Sequence, residues 1–225
     1  NTFSEKIEDG NIEFINQTLK DLHEADIANL IENLTSGTRI KLIELESFNI
    51  NPEIFIELNE SIQSEVLQLL SIDSIIKIIK RLESDNAIKI LENLEKDTKN
   101  KVLEKLPPKD KFLLEEGLSY PEDSAARIMQ REFTAVPSNW SVGQTIDYLR
   151  EDKDLPEEFL EIFVVDNDFK PVGTVPSSRV LRTSRDLKMN SIMSVMPVLI
   201  STNMDQEEVG QAFENYNLVS AGVVN

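Results

Sequence analysis

The chain has 225 residues, 40% hydrophobic and 28% charged, the composition of a folded protein with room for one large domain or two ordinary ones. No apolar run is long enough to span a bilayer, and the absence of cysteine excludes disulfides and thiolate sites and suits a cytosolic setting. A net charge of −18, from 41 acidic against 23 basic residues, argues against nucleic acid, whose phosphates need clustered Lys and Arg. It fits a cationic partner, a metal ion or a basic surface, and plain solubility would use the same charge.

From about Leu22 to Leu118, apolar residues recur every 12 positions. One ladder reads Leu22, Leu34, Leu58, Leu70, Leu82, Leu94, Leu106 and Leu118, interrupted by Glu46. A second reads Leu30, Leu42, Ile54, Val66, Ile78, Ile90, Val102 and Leu114; a third reads Ile31, Ile43, Phe55, Leu67, Ile79, Leu91 and Leu103, and fails at Glu115. Within a unit, as at Ile90, Leu91 and Leu94, the spacing puts three side chains on one helix face. Asn49, Ser61, Asp73, Asp85 and Asp97 also stand 12 apart, each a good N-cap before the next apolar segment. Each unit then reads as a helix of roughly nine residues, about 14 Å long, and a tight turn. Helices that short must stack to be stable, so the repeat predicts an α-solenoid or superhelical bundle. Leu106-Pro107-Pro108 marks a sharp stop inside it.

Tyr120-Pro121-Glu122-Asp123-Ser124-Ala125-Ala126-Arg127-Ile128-Met129 reads as a hinge between two domains. Pro121 suits a first helical turn, and Glu122 and Asp123 suit its positive end. Beyond it, Phe133-Thr134-Ala135-Val136 predicts a strand ending at Pro137, and Ser141 caps a helix carrying Val142, Ile146 and Leu149. Phe159 to Val165 predicts a strand closed by Asp166-Asn167-Asp168, with Pro171 to Val175 as its hairpin partner. Ser177 or Ser178 then starts a short helix through Val180 and Leu181. A weaker repeat has an offset of 64: Ile128-Met129 recurs as Ile192-Met193 and Asn139 as Asn203, while Asn225 follows Val223-Val224 as Asp166 follows its own valine pair. The second copy stops there, so the sequence reads as part of a longer protein.

Tandem β-α-β-β-α modules that open on Ile-Met and contain Val-Val-Asp and then Val-Gly resemble CBS domains. The order of helical repeat, Tyr-Pro-Glu-Asp-Ser-Ala and CBS pair resembles the cytosolic N-terminal part of the MgtE-type magnesium transporter family. The residues that carry the likeness are Leu22 to Ala28, Tyr120 to Met129 with Arg131-Glu132-Phe133, Ser141 to Ile146, Phe163 to Asp166, Pro171 to Pro176 and Asp205 to Val209. The resemblance implies an α plus α/β multidomain fold: an all-α right-handed superhelix over 1–119, a first CBS domain over 120–190 and a partial second one over 191–225. It further implies a Mg²⁺-sensing region on the cytoplasmic face of the cell membrane, dimeric through its CBS domains and attached to a transmembrane pore.

Mg²⁺ keeps several waters and takes few carboxylates directly. Two carboxylates 4 Å apart repel by about 4 kcal/mol at an effective dielectric near 20, so ions that bridge such contacts can bias a domain closure. The resemblance points to Asp205 and Glu207 as Mg²⁺ ligands, to Asp85 as a partner from the helical domain, and to the backbone carbonyl of Arg127. Asp205 equally reads as a helix cap, with Glu208 completing a capping-box-like pair, and Asp85 as one of the repeating caps. Asn86, Lys89 and Asn217 stand where relatives carry acidic residues. CBS pairs often bind adenine nucleotides such as ATP through an Asp late in a Gly-x-x-Ser/Thr-x-x-Asp pattern; Gly173 to Val180 lacks it, so ATP is not supported.

No catalytic constellation appears, and the chain is not read as an enzyme. His23, the sole histidine, reads as a surface or cap residue, Trp140 as packing, and Met129, Met193 and Met196 as core. An interaction scaffold built on the helical repeat and a nucleotide-sensing CBS module remain as alternatives.

Overall fold

Short helices on a 12-residue beat form the first of two units into which the chain divides, Asn1–Glu115 and Glu116–Asn225. The computed structural model describes residues 2–45, 51–156 and 158–225; Glu46 and Asn49 lie outside the described residues. After α1 (Thr2–Glu8) come α2 (Ile12–Lys20), α3 (Glu24–Glu32), α4 (Ser36–Glu44) and α5 (Pro52–Glu57). They are followed by α6 (Glu60–Leu69), α7 (Ile72–Ile79), α8 (Ser84–Glu92), α9 (Lys96–Lys105) and α10 (Pro108–Ser119). Apart from α1 and α5, every one of these helices starts on the beat, and α2, α3, α4 and α8 have the expected nine residues. The division between the units falls inside α10.

The second and third ladders are the core. From Ile54 through Val66, Ile78, Ile90 and Val102 to Leu114 the second ladder is buried, as are Phe55, Leu67, Ile79, Leu91 and Leu103 of the third. The first ladder fills the turns instead. Leu58, Leu70 and Leu106 are C-caps, and Leu94 lies one residue past the C-cap of α8, off the helix face expected for it. Three pairs of next-but-one helices pack together, α3 on α5, α4 on α6 and α7 on α9, while α1 packs on α2 and α4.

The expected caps are displaced by two residues. Asn59 and Ser71 are the N-caps, accepting from Ile62 and Ser74 N–H, while Glu83 and Glu95 hold the same position without a side-chain cap bond. Ser61, Asp73, Asp85 and Asp97 therefore sit inside the first turn. Carboxylates are stabilised there by the helix dipole as well as at the cap, so composition alone did not separate the two positions. The expected stop at Leu106-Pro107-Pro108 is present, with Pro108 opening α10.

The second unit holds α11 (Ala125–Ile128), β1 (Ala135–Pro137), α12 (Val142–Glu151), β2 (Glu161–Val165), β3 (Pro171–Pro176) and α13 (Ser177–Arg182). Then follow α14 (Met189–Ile192), β4 (Ser194–Val195), β5 (Ile200–Ser201), α15 (Gln206–Tyr216) and β6 (Val223–Val224). β1 runs parallel to β2, which pairs antiparallel with β3 and through it with β4. β5 and β6 repeat the parallel pair, Ile200 opposite Val223 as Val136 is opposite Val164. The hairpin between β2 and β3 turns on Asp166, whose Oδ1 accepts from Asp168 N and Lys170 N at 3.0 and 2.9 Å. Gly173 is required where β3 meets β4, because a Cβ there would stand 2.6 Å from the Ser194 carbonyl. Val136, Val142, Ile162, Val164, Val175, Val180 and Met189 form the core, with Trp140 stacked edge-on to Tyr148 at its margin. The buried methionine is Met189; Met129, Met193 and Met196, expected inside, are only half-buried. Each lies at or just beyond the end of a two- to four-residue element, too short to cover a side chain on all sides.

Candidate functional site

The 64-residue offset explains where Asp205 sits. Ser141 and Asp205 are equivalent N-caps, of α12 and α15, and each is bridged to the segment that opens the other copy, Ser141 to Lys188 and Asp205 to Ser124. Ala125 N donates to Met204 O at 2.7 Å and Ala126 N to Thr202 O at 3.1 Å; the counterparts are Met189 N to Trp140 O at 2.9 Å and Asn190 N to Ser138 O at 3.0 Å. Gln206 N donates to Asp123 O at 2.7 Å, matched by Val142 N to Leu187 O at 2.8 Å. The decapeptide read as a hinge is thus fastened to the start of α15.

Asp205 does cap α15. Its Oδ1 accepts from Glu207 N at 2.8 Å, one residue short of the Glu208 expected to pair with it. The full reciprocal box is on α12, between Ser141 and Gln144. The cap bond uses Oδ1, and Asp205 and Glu207 are both exposed at the start of α15. Asp123 joins them, since its Oδ1 accepts from Gln206 Nε2 at 3.0 Å. Sequence reasoning missed Asp123 as a neighbour, although the offset that pairs Ser124 with Lys188 carried the signal. Among the described residues no group of three acidic or His side chains is arranged to hold a metal ion.

Asp85 belongs to the other unit, in the first turn of α8, half-buried, and its Oδ1 is fully enclosed with no hydrogen-bond partner. Arg127 is buried, and its Nη1 donates to the carbonyls of Gly117 at 3.1 Å and Tyr120 at 2.9 Å. Its side chain is therefore committed to the chain's own oxygens. Asn217 is the left-handed C-cap of α15 with φ 49°, a conformation that Asn tolerates better than most residues. His23 caps α3, accepting at Nδ1 from Ala25 N at 3.2 Å. In the Gly173–Val180 segment, Ser177 Oγ donates to the carbonyls of Phe159 and Leu160, and Arg179 donates to Ile192 O and Ser194 Oγ. Among the described residues no helix is long and apolar enough to cross a membrane.

The family model described as MgtE intracellular N domain matches residues 22–123, and the CBS domain model matches residues 125–186. A magnesium transporter MgtE of Enterococcus faecalis is 25% identical over 112 residues, 50% of this chain and 25% of that protein. That of Thermus thermophilus is 26% identical over 118 residues, 52% of this chain and 26% of its own length. The matched stretch thus spans about a quarter of each relative. A crystal structure of the cytosolic domain of the Mg²⁺ channel MgtE in complex with ATP has a TM-score of 0.85 at 23% identity, covering 99% of this chain and 91% of that one. The soluble part of a magnesium transporter has a TM-score of 0.81 at 20% identity, covering 100% and 88%. These structures share the fold, a helical domain followed by CBS-type strands and helices.

Proposed function

We propose that the chain is the cytosolic regulatory region of an MgtE-type magnesium transporter, which senses Mg²⁺ and gates a transmembrane pore elsewhere in the full-length protein. Its place is the cytoplasmic face of the cell membrane, as a dimer joined through the CBS modules. Asp205 and Glu207 offer carboxylate oxygens from the second unit and Asp85 offers one from the first. Arg127 lends only its backbone carbonyl.

The observation that carries the reading is Asp85 Oδ1. An enclosed carboxylate oxygen without a donor is costly, and a hydrated cation supplies what it lacks. Exposed Asp205 and Glu207 also suit such an ion, because Mg²⁺ binds through one or two carboxylates and its own waters. Without Mg²⁺ the acidic faces repel; with it they are bridged and a compact state is favoured.

ATP fits less well. The Gly173–Val180 segment offers no carboxylate to a ribose, Ser177 donates its hydroxyl to backbone carbonyls, and a cation stands at Arg179.

Small-angle scattering with chelator and with millimolar Mg²⁺ tests the proposal. The radius of gyration falls on adding Mg²⁺ to the natural chain and stays constant in an Asp205→Asn, Glu207→Gln variant. An unchanged radius in the natural chain would sink the reading.

A further inference from the structure

Two arginines with enclosed side chains stand in and just after the segment expected to be a hinge. Arg127, 8% exposed, reaches back with Nη1 to the Gly117 and Tyr120 carbonyls at the end of α10. Arg131, its side chain 7% exposed, donates through Nη2 to Ala126 O at 2.9 Å and through Nη1 to Met129 O at 3.3 Å. Its Nε stands 3.9 Å from Glu116 Oε2. The last carbonyls of a helix have no partner within it, and a cation beside them is favoured by the dipole. Each guanidinium therefore covers the oxygens that a metal ion would otherwise seek at these two helix ends. Main-chain bonds from Ala125 and Ala126 N–H to Met204 and Thr202 O, and from Gln206 N–H to Asp123 O, fasten the same segment to the second CBS module.

We propose that Arg127 and Arg131 are tethered internal cations that lock Gly117 to Arg131 onto the CBS unit without any bound metal. The segment is then part of a rigid body, and the pivot of a Mg²⁺-driven movement lies upstream of Gly117. The position of the pivot rests on the Mg²⁺-sensing reading; the clasp does not. Both arginines act as positioning residues.

Hydrogen exchange read by mass spectrometry, in chelator and in millimolar Mg²⁺, separates the two ideas. In the natural chain the amides of 118–131 are equally protected in both conditions. In Arg127→Met the same amides exchange about tenfold faster or more, because buried carbonyls lose a charged donor, and Mg²⁺ does not restore them. Arg127→Lys, which keeps the charge, recovers part of the protection. Amides of β2 and β3 stay protected in a folded variant, and if they do not, the natural chain with and without Mg²⁺ still decides. Protection of 118–131 that appears only with Mg²⁺, or an Arg127→Met segment that exchanges like the natural one, overturns the clasp. If Mg²⁺ alters protection nowhere in the chain, the sensing reading fails and the clasp stands.

Discussion

In the helical unit, packing and polar ties stay between helices near in sequence: Lys105 of α9 to Asp73 of α7, Arg39 of α4 to Glu65 of α6, and Lys41 of α4 to Glu8 of α1. In the CBS unit, the ties are exchanged between two copies offset by 64 residues, so that each copy closes the opening of the other. Both units are made of elements too short to persist alone, yet they fail differently. Damage to the first is passed from neighbour to neighbour, as in any stack of repeats. In the second, separating the copies removes both sets of bonds together.

The largest effect expected is in the first core. Leu91→Ala removes a side chain with no exposure from the middle of the stack and should cost about 3–4 kcal/mol. Ile162→Ala does the same in the CBS core. Thermal unfolding followed by hydrogen exchange should show Leu91→Ala releasing α7 to α9 first with the CBS amides unaffected, and Ile162→Ala the reverse. Equal loosening of both units in either variant would erase the distinction between them.

Next in size is Arg39→Met. The guanidinium is buried, donates through Nη1 to Ile31, Glu32 and Leu34 carbonyls at the end of α3, and through Nη2 to Glu65 at 3.1 Å. Its removal leaves three carbonyls and a carboxylate short of donors, for a loss of about 2–3 kcal/mol in denaturant unfolding. This buried arginine on a helix end has the same design as Arg127, one in each unit.

The repeat made the helical unit easy to read, because its 12-residue period is a local property and each core position repeats many times. What it hid was register: Asp73, Asp85 and Asp97 repeat as regularly as Ser71, Glu83 and Glu95, and acidic residues suit both the cap and the first turn. In the CBS unit the strands were legible from β-branched runs, and Ser141 from its own cap chemistry. The partnership of Asp123 with the start of α15 was harder, since it depends on pairing at an offset of 64, although the same offset was visible at Ile128 and Ile192. Arg127 could not be assigned from sequence at all. Nothing in its neighbours says that the side chain folds back on Gly117.

A smaller effect separates cap from ligand at Asp205. Asp205→Ala loses the bond to Glu207 N and should destabilise the second unit by about 1 kcal/mol, whereas Asn caps as well as Asp and should leave stability unchanged. Both substitutions abolish the charge. Calorimetric titration with Mg²⁺ should therefore show the two variants equally weakened while their unfolding midpoints differ. Normal Mg²⁺ binding in Asp205→Asn would remove this residue from the site and leave it only as the cap that joins the copies.

The smallest effect is a dependence on acid confined to the helical unit. Glu65 accepts from the Ser36 hydroxyl and lies beside the Arg39 guanidinium, and these donors hold its carboxyl below the usual 4.5 against the opposing pull of burial. The unfolded chain therefore takes up this proton at a higher pH than the folded one. Stability supplied by Glu65 is complete above about pH 4.5 and drains away as pH falls through the lower folded-state value. The amount is about 1 kcal/mol or less, because the carboxylate remains partly solvated. Between pH 6 and pH 3 the natural chain should lose slightly more stability in α4 to α6 than Glu65→Gln does. The CBS amides should follow the same pH course in both proteins, because Glu65 makes its bonds to α4 alone.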